Sequence, residues 1–325
     1  MLSVPMIVKD EEERLPRALK SLQAQDAITE IVVLDTGSTD RTVEIAKDHG
    51  CRVIEGEAVF YMGADETPDG LPRIHFAACR NKAVSYCTGE WLFTLDGDEW
   101  VEGDVLGAVN LAVERNCNGV AIWVHAFESV QAVELCVQSR ILRNDGSIKW
   151  KYPIHNQKVG IMEPVPVSNA ALVKSDYSGG RMAPKISRSL PMLLKLAAEE
   201  PNDSHAPWHL MRTYHRASQW QEMLLWAQCL QLRCPEAQPL WAQAMLGRHD
   251  ACIQLEMYRE AAAALRQLLA YHPHHPDARY IRLCEAFKAW SETFERGAPY
   301  FGLGQTCIPK MADAHYIAHY LGVKS

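Results

Sequence analysis

Apolar and polar positions in the first half of the chain follow two periods. Ser3–Val8 (SVPMIV), Ile31–Leu34 (IVVL), Cys51–Ile54, Trp91–Leu95 (WLFTL), Val120–Val124 and Leu135–Leu142 are short apolar runs of strand length. Between them, Leu15, Leu19 and Leu22 recur at helical spacing inside EERLPRALKSL. STDRTVEIAKDHG reads as a second helix, with Ser38 or Thr39 as N-cap, Asp40 in the first turn, Val43 and Ala46 inward and Gly50 as the stop. Strand and helix in alternation predict an α/β domain with a parallel sheet covered on both faces.

From Arg188 to about Trp290 no strand-like run occurs, and Ala, Leu, Gln, Trp and Met recur at spacings of three and four. Two helical hairpins align with the tetratricopeptide repeat of about 34 residues: Leu210, Tyr214, Ala227 and Pro235 in one, Ala261, Leu265, Leu268 and Pro273 in the other. Two units are fewer than such stacks need alone, so this half is expected to lean on the first domain or on another chain; a helical bundle without true repeats is the alternative. Trp208, Trp220, Trp226 and Trp241 fall at helical positions and are expected to pack. The predicted division is 1–185 and 186–325, and residues 291–325 carry no informative pattern.

The 325 residues are 48% hydrophobic and 22% charged, a globular balance sized for about two domains. A formal charge of −7 argues against a dedicated binder of duplex nucleic acid or anionic membrane. No apolar run approaches the ~20 residues of a membrane span, and the opening residues turn acidic before a signal-peptide core forms. The 10 cysteines include no C-x-x-C pair and read as reduced thiols. A cytoplasmic location is the expectation.

In an open parallel sheet, ligands bind beyond the carboxyl ends of the strands. The polar residues there are Lys9 to Glu12, Asp35 to Asp40, and Asp96-Gly97-Asp98-Glu99. Neither G-x-G-x-x-G nor a P-loop is present, so dinucleotide and P-loop chemistries lose their phosphate cradles. Asp96-Gly97-Asp98 offers hard oxygen ligands that, with a bound diphosphate, suit Mg²⁺ or Mn²⁺; the same triplet is also good turn chemistry. Asp35 either accepts hydrogen bonds from a nucleobase and ribose or caps the next helix. Arg80 either forks onto phosphate or is a surface arginine in a helix's first turn.

MIVKDEEERLPRALKSL, EIVVLDTGSTDRTVEIAKDHGCRVI, FAACRNKAVSYCTGEWLFTLDGDEW and IHNQ resemble, in order and spacing, the family 2 glycosyltransferases. The match is to a bacterial subgroup whose catalytic domain is followed by tetratricopeptide-like helices. The resemblance implies a GT-A fold (a Rossmann-like, mixed, mostly parallel sheet), a nucleotide-diphosphate sugar donor, usually a UDP-sugar, and a divalent metal, Mn²⁺ or Mg²⁺. It implies that Ile7, Val8 and Lys9 frame the nucleobase, that Asp35 and Thr36 contact uridine, and that Glu12 and Ser38 belong to the same donor set. Arg80 would hold the diphosphate, Asp96 and Gly97 the ribose or the near side of the metal, and Asp98 the metal itself. Glu99 would orient its neighbours.

The chain departs from the family pattern in three places. Asp10 replaces the usual Asn. Residues 62–74 look like an enlarged loop, a lid over the donor. His155-Asn156 stands where relatives carry His-Glu, and an amide cannot take a proton. His155 is therefore the candidate general base or a third metal ligand, with a packed histidine as the plain alternative; Glu128 and Asp145 are fallback bases. Trp150 and Tyr152 are expected to wall the acceptor side, and Trp123 to serve the core. The expected activity is transfer of a hexose with inversion to a peptide side chain, a saccharide or a modified base. The helical half would bind the acceptor or form a homodimer. The alternative is a catalytically silent nucleotide-sugar-binding scaffold that recruits a partner through its helices.

Overall fold

The computed structural model describes residues 1–55, 61–62, 73–128, 131–176, 182–279 and 281–282. Residues 63–72, the core of the expected lid, and residues 283–325 lie outside that set. The chain divides into two compact units, Met1–Thr213 and Tyr214–Ser325.

The first unit opens with β1 (Leu2–Val8), α1 (Leu15–Gln23), β2 (Ile28–Asp35), α2 (Thr42–Asp48) and β3 (Arg52–Ile54). β1 is buried along almost its whole length, as a central parallel strand covered on both faces must be. α1 carries Pro16 in its first turn and buries Leu15, Ala18, Leu19 and Leu22, the face its apolar spacing predicts. Next come β4 (Tyr61–Met62), β5 (Arg73–Ile74), α3 (Phe76–Ser85), β6 (Trp91–Phe93), β7 (Glu99–Gly103) and α4 (Val105–Glu114). Then follow β8 (Gly119–Glu128), β9 (Gln131–Arg143), β10 (Lys149–Lys151), β11 (Gln157–Val159), β12 (Val167–Asp176), α5 (Met182–Glu199) and α6 (His205–Arg216).

Eight strands form one mixed sheet in the order β3-β2-β1-β6-β9-β8-β12-β7. β3, β2, β1 and β6 are mutually parallel, as are β8 and β12, while β9 and β7 run against their neighbours. The mostly parallel, Rossmann-like layout agrees with the predicted fold class. Small antiparallel pairs join β4 to β5 and β10 to β11. One apolar cluster, including Val4, Met6, Leu19, Phe93, Ile122, Ile141 and Val173, fills the space between sheet and helices.

Two consequences of this topology position the site. The carboxyl ends of β1, β2, β6 and β8 share one edge, which collects Lys9, Asp35, Asp96 and Glu128. Because Trp91 pairs with Arg143 in an antiparallel register, the chain leaves β9 at the opposite edge. It then returns alongside α3. Asn81 bonds both the N–H and the carbonyl of Trp150, each at 2.9 Å, and the N–H of Phe76 donates to the carbonyl of Pro153 at 3.0 Å. The segment carrying His155 is thereby brought back along α3.

In the second unit, α8 (Pro239–Gln254) packs on both α7 (Trp220–Arg233) and α9 (Tyr258–Tyr271). Tyr214, Ala227, Ala261, Leu265 and Leu268, the positions aligned to the repeat, are buried. Trp241 is buried and meets Tyr271 edge-on, a packing role as expected. α5 and most of α6 fall in the first unit, beyond the 185/186 division expected from composition. Among the described residues no helix is long and apolar enough to cross a membrane.

Candidate functional site

The loops after β1 and β2 are laced together. The Val8 carbonyl accepts both the N–H and the hydroxyl of Thr36, each at 2.9 Å. The N–H of Asp10 donates to Ser38 Oγ at 3.0 Å, and the Asp10 carboxylate accepts the N–H of Thr39 at 2.8 Å. Asp10 has φ 52°, a conformation that Asp and Asn tolerate best among non-glycine residues, which fits an Asp in the family's Asn position. Glu12 accepts the N–H of Arg41 at 3.1 Å, while its own N–H donates to Asp40 Oδ2 at 3.1 Å. The N–H of Glu11 donates to Thr42 Oγ1 at 2.7 Å. Residues 38–41 are thus engaged by the neighbouring loop, and α2 starts at Thr42, later than the predicted Ser38 or Thr39 cap.

Asp35 is 6% exposed, and its carboxylate accepts the N–H groups of Gly37 and Ser38 at 3.0 and 3.1 Å and the Ser38 hydroxyl at 2.5 Å. These bonds lie within its own turn, ahead of α2, so Asp35 does not cap that helix. Thr36 is buried, and Glu12 and Ser38 are held in the lacing. Lys9 is exposed and Ile7 partly so.

The Asp96–Glu99 loop lies on the end of β1. A Cβ at Gly97 would come within 3.3 Å of both Glu11 Cγ and Val8 Cγ1, so the close approach favours glycine. Glu99 is buried and accepts the N–H of Asp96 at 2.9 Å, while its own N–H returns to the Asp96 carbonyl at 3.1 Å. Arg140, buried in β9, grips Glu99 with two parallel bonds, Nη1 to Oε2 at 2.8 Å and Nη2 to Oε1 at 2.6 Å. Burial lifts the Glu99 carboxyl against the pull of Arg140, and Glu99 and Asp96 together keep Arg140 cationic despite its own burial. Glu99 is the anchor of this loop.

The two aspartates sit in opposite fields. Arg80 Nη2 donates to Asp96 Oδ1 at 2.7 Å. Burial would raise Asp96, but the charges of Arg80 and Arg140 outweigh it and hold the carboxyl below the usual range. Asp98 makes no side-chain hydrogen bond or ion pair to another residue among the described residues. Burial, then the charges of Asp96 and Glu11, lift its carboxyl above the usual range. A carboxylate held in a negative field lacks a positive charge, and its oxygens are hard donors; this fits a divalent cation. Among the described residues no three His, Cys, Asp or Glu side chains converge as a metal cluster, so Asp96, Asp98 and His155 are not gathered into one set. Asp96 and Asp98 alone could supply only part of a coordination sphere.

Lys158 completes the charged cluster. It lies opposite Trp150 in the β10/β11 pair, partly buried. Burial, then repulsion from Arg140 and Arg80, pull its ammonium down to about 7 against the attraction of Asp96 and Glu99.

His155 is exposed and stacks face to face on His209 of α6, ring centroids 4.2 Å apart. Tyr152 stacks on His205 at 3.8 Å, and His205 meets His209 edge-on at 4.5 Å. The Tyr152 hydroxyl donates to Asp203 Oδ2 at 2.5 Å, Lys151 Nζ reaches the same oxygen at 3.1 Å, and the N–H of His205 donates to Asp203 Oδ1 at 2.7 Å. Tyr152 and His155 have φ of 72° and 47°, costing about 1 kcal/mol or more each outside glycine, and these contacts hold them there. Burial opposes ionisation of Asp203, but the bonds from Tyr152, the His205 N–H and Lys151 outweigh it and bring the carboxyl to about 2. Because that pKa is depressed, the stabilisation is present above pH ~4 and lost as pH falls through ~2. Asp203→Asn is expected to cost about 2 kcal/mol near neutral pH, the gap to wild type closing on acidification. Melting curves across pH check this, and equal melting temperatures at pH 7 would show that the network does not hold the loop.

The remaining predicted residues are placed elsewhere. Asp145 is exposed at the opposite sheet edge, where its Oδ1 accepts the Ser147 N–H at 2.9 Å in a turn completed by Gly146. It is a turn-former at the far end from Asp96, because β9 runs antiparallel to β6. Glu128 ends β8, and its side chain lies outside the described residues. Trp150 packs with Leu92, Leu142 and Ile148, a core position and not the expected acceptor wall. Trp123 Nε1 bonds Asn169 Oδ1 at 2.8 Å.

Sequence reasoning missed Arg140, Lys158, Asp203 and His209. Only Arg140 left a signal, a charge inside the apolar run Leu135–Leu142.

The description Glycosyl transferase family 2 matches residues 3–64, the segment that carries β1, β2 and the laced loops. A TPR repeat-containing protein of Synechococcus elongatus is 34% identical over 157 residues, 47% of this chain and 34% of that protein. The SPbeta prophage-derived glycosyltransferase SunS of Bacillus subtilis is 24% identical over 206 residues, 60% of this chain and 46% of that protein. The chain spans less than half the length of these curated relatives. Among solved structures, S. aureus TarS 1–349 in complex with UDP aligns with a TM-score of 0.41 at 16% identity, covering 82% of this chain and 91% of that one. By these matches the amino-terminal segment is similar to glycosyltransferase family 2, and a helical carboxyl-terminal region follows it.

Proposed function

We propose that the protein is a glycosyltransferase that moves a hexose from a nucleoside-diphosphate sugar, a UDP-sugar, to a nucleophilic acceptor with inversion. The observation that carries this reading is Asp98, a carboxylate with no ion pair among the described residues, set in the field of Asp96 and Glu11, which outweighs that of Arg14, at the carboxyl edge of the sheet. A Mn²⁺ or Mg²⁺ held by Asp98, with Asp96 on its near side, would supply Lewis-acid charge at the departing diphosphate. Arg80, half-buried beside Asp96, is oriented to share that charge through a phosphate oxygen. Glu99 and Arg140 fix the backbone of the loop, so the two carboxylates need little reorganisation when the donor enters. His155, exposed and pinned by His209, is the group assigned to take the acceptor's proton.

Titration calorimetry with UDP tests the reading. Binding is expected in the presence of Mn²⁺ and to weaken at least tenfold in EDTA. Equal affinity with and without the metal would overturn the assignment of the carboxylates. Incubation with a panel of UDP-hexoses and no acceptor separates a transferase from a silent nucleotide-sugar scaffold: a transferase leaks UDP slowly by hydrolysis, and a pure binder releases none.

A further inference from the structure

We propose that Lys158 is a donor-binding residue whose ammonium pairs with the diphosphate of the sugar nucleotide, beside Arg80; this rests on the nucleotide-sugar reading above. Lys158 stands opposite Trp150 in the β10/β11 register, and Trp150 is fixed through both backbone groups to Asn81, the neighbour of Arg80 on α3. Two elements far apart in sequence thus bring Arg80 and Lys158 to the same end of the Asp96–Glu99 loop.

The two guanidinium groups of that cluster are engaged by its carboxylates, and Lys158 is not. Arg140 is committed to Glu99 by two bonds, and Arg80 uses one nitrogen on Asp96. Lys158 makes no hydrogen bond or ion pair among the described residues; its ammonium rests 5.8 Å from the centroid of the Trp150 ring. Burial and the charges of Arg140 and Arg80 weigh on Lys158 against the attraction of Asp96 and Glu99. The Arg80 Nε–H is also buried without a hydrogen-bond partner among the described residues. A partly buried ammonium repelled by two guanidinium groups is unfavourable until an anion arrives. An anion with several charged oxygens, set beside Asp96 where the leaving group of the proposed reaction must lie, is a diphosphate. Asp98 faces the other way electrostatically, so one bound diphosphate would be held from one side by Lys158 and Arg80 and from the other by the cation on Asp98.

The test compares UDP with uridine by calorimetry in Mn²⁺, using wild type, Lys158→Met and Lys158→Arg. The expected result is at least a tenfold loss of UDP affinity in Lys158→Met, unchanged uridine affinity, and recovery of most of the UDP affinity in Lys158→Arg. Melting temperatures confirm that the variants are folded. UDP affinity within twofold of wild type in Lys158→Met would overturn the proposal while leaving the donor reading standing. Equal losses for UDP and uridine would also overturn it, by making Lys158 a structural residue. Failure of the wild type to bind UDP with Mn²⁺ would overturn both readings.

Discussion

An Asp98→Asn protein is expected to melt no lower than wild type and yet to release no UDP from its donor. Both halves follow from the same field. Asp98 is crowded by burial and by the charges of Asp96 and Glu11, so its folded-state carboxyl is raised. A group with a raised acidic pKa is harder to ionise in the folded state, and its ionised form subtracts stability at neutral pH. Removing the charge relieves that repulsion and takes nothing from the core, because the side chain has no ion pair to lose among the described residues. The melting temperature should stay level or rise. The amide that replaces it is a weaker and uncharged ligand, so metal-dependent UDP binding should fall by two orders of magnitude or more, with donor hydrolysis below detection. In wild type, the same raised carboxyl should make Mn²⁺-dependent UDP binding fade on acidification sooner than an ordinary aspartate would. A variant that turns over the donor normally would sink the metal assignment, and one that unfolds would sink the electrostatic account of Asp98.

Arg140→Met should act in the opposite sense, with a large loss of stability. The guanidinium supplies two of the three hydrogen bonds to the Glu99 carboxylate and the Asp96 N–H the third, and both side chains are buried. Removing one member of a buried, doubly bonded pair strands the other charge, at a cost of roughly 3–5 kcal/mol. For a unit of this size that is a fall of roughly 6–20 °C. Adding Glu99→Gln should recover much of the loss, since the stranded charge is gone, but not UDP binding, because the Asp96–Asp98 backbone is no longer pinned. Thermal unfolding of wild type, the single variant and the double variant checks this. A single variant that melts within two degrees of wild type would show that the pair does not hold the loop.

The sheet and helices were legible because apolar run length and helical spacing report burial directly. The Asp96-Gly97-Asp98-Glu99 loop was legible because a strand leads straight into it. Local chemistry hid the rest. Asp35 reads from its neighbours alone as a nucleotide contact or a cap of the next helix, and the bonds to Gly37 and Ser38 show a turn where the cap was expected. Asp10 and Glu12 looked like a bare acidic stretch, yet they bond backbone groups 29 residues away, a pairing that no local pattern reports. Asp145 looked as good a base as any carboxylate until the antiparallel register of β9 put it at the wrong edge. Arg140, Lys158, Asp203 and His209 depend on contacts between elements far apart in the chain, and their helix or strand context is ordinary.

The return of residues 149–155 along α3 makes that helix a ruler. Asn81 and Phe76 are the two marks at which the passing strand is clipped, one at Trp150 and one at Pro153. A residue inserted into the exposed turn at 145–147 lies outside the gauge and should be absorbed there. One inserted between Trp150 and Pro153 has nowhere to go, and would carry the His155 ring out of register with its stacking partner while leaving the donor loop untouched.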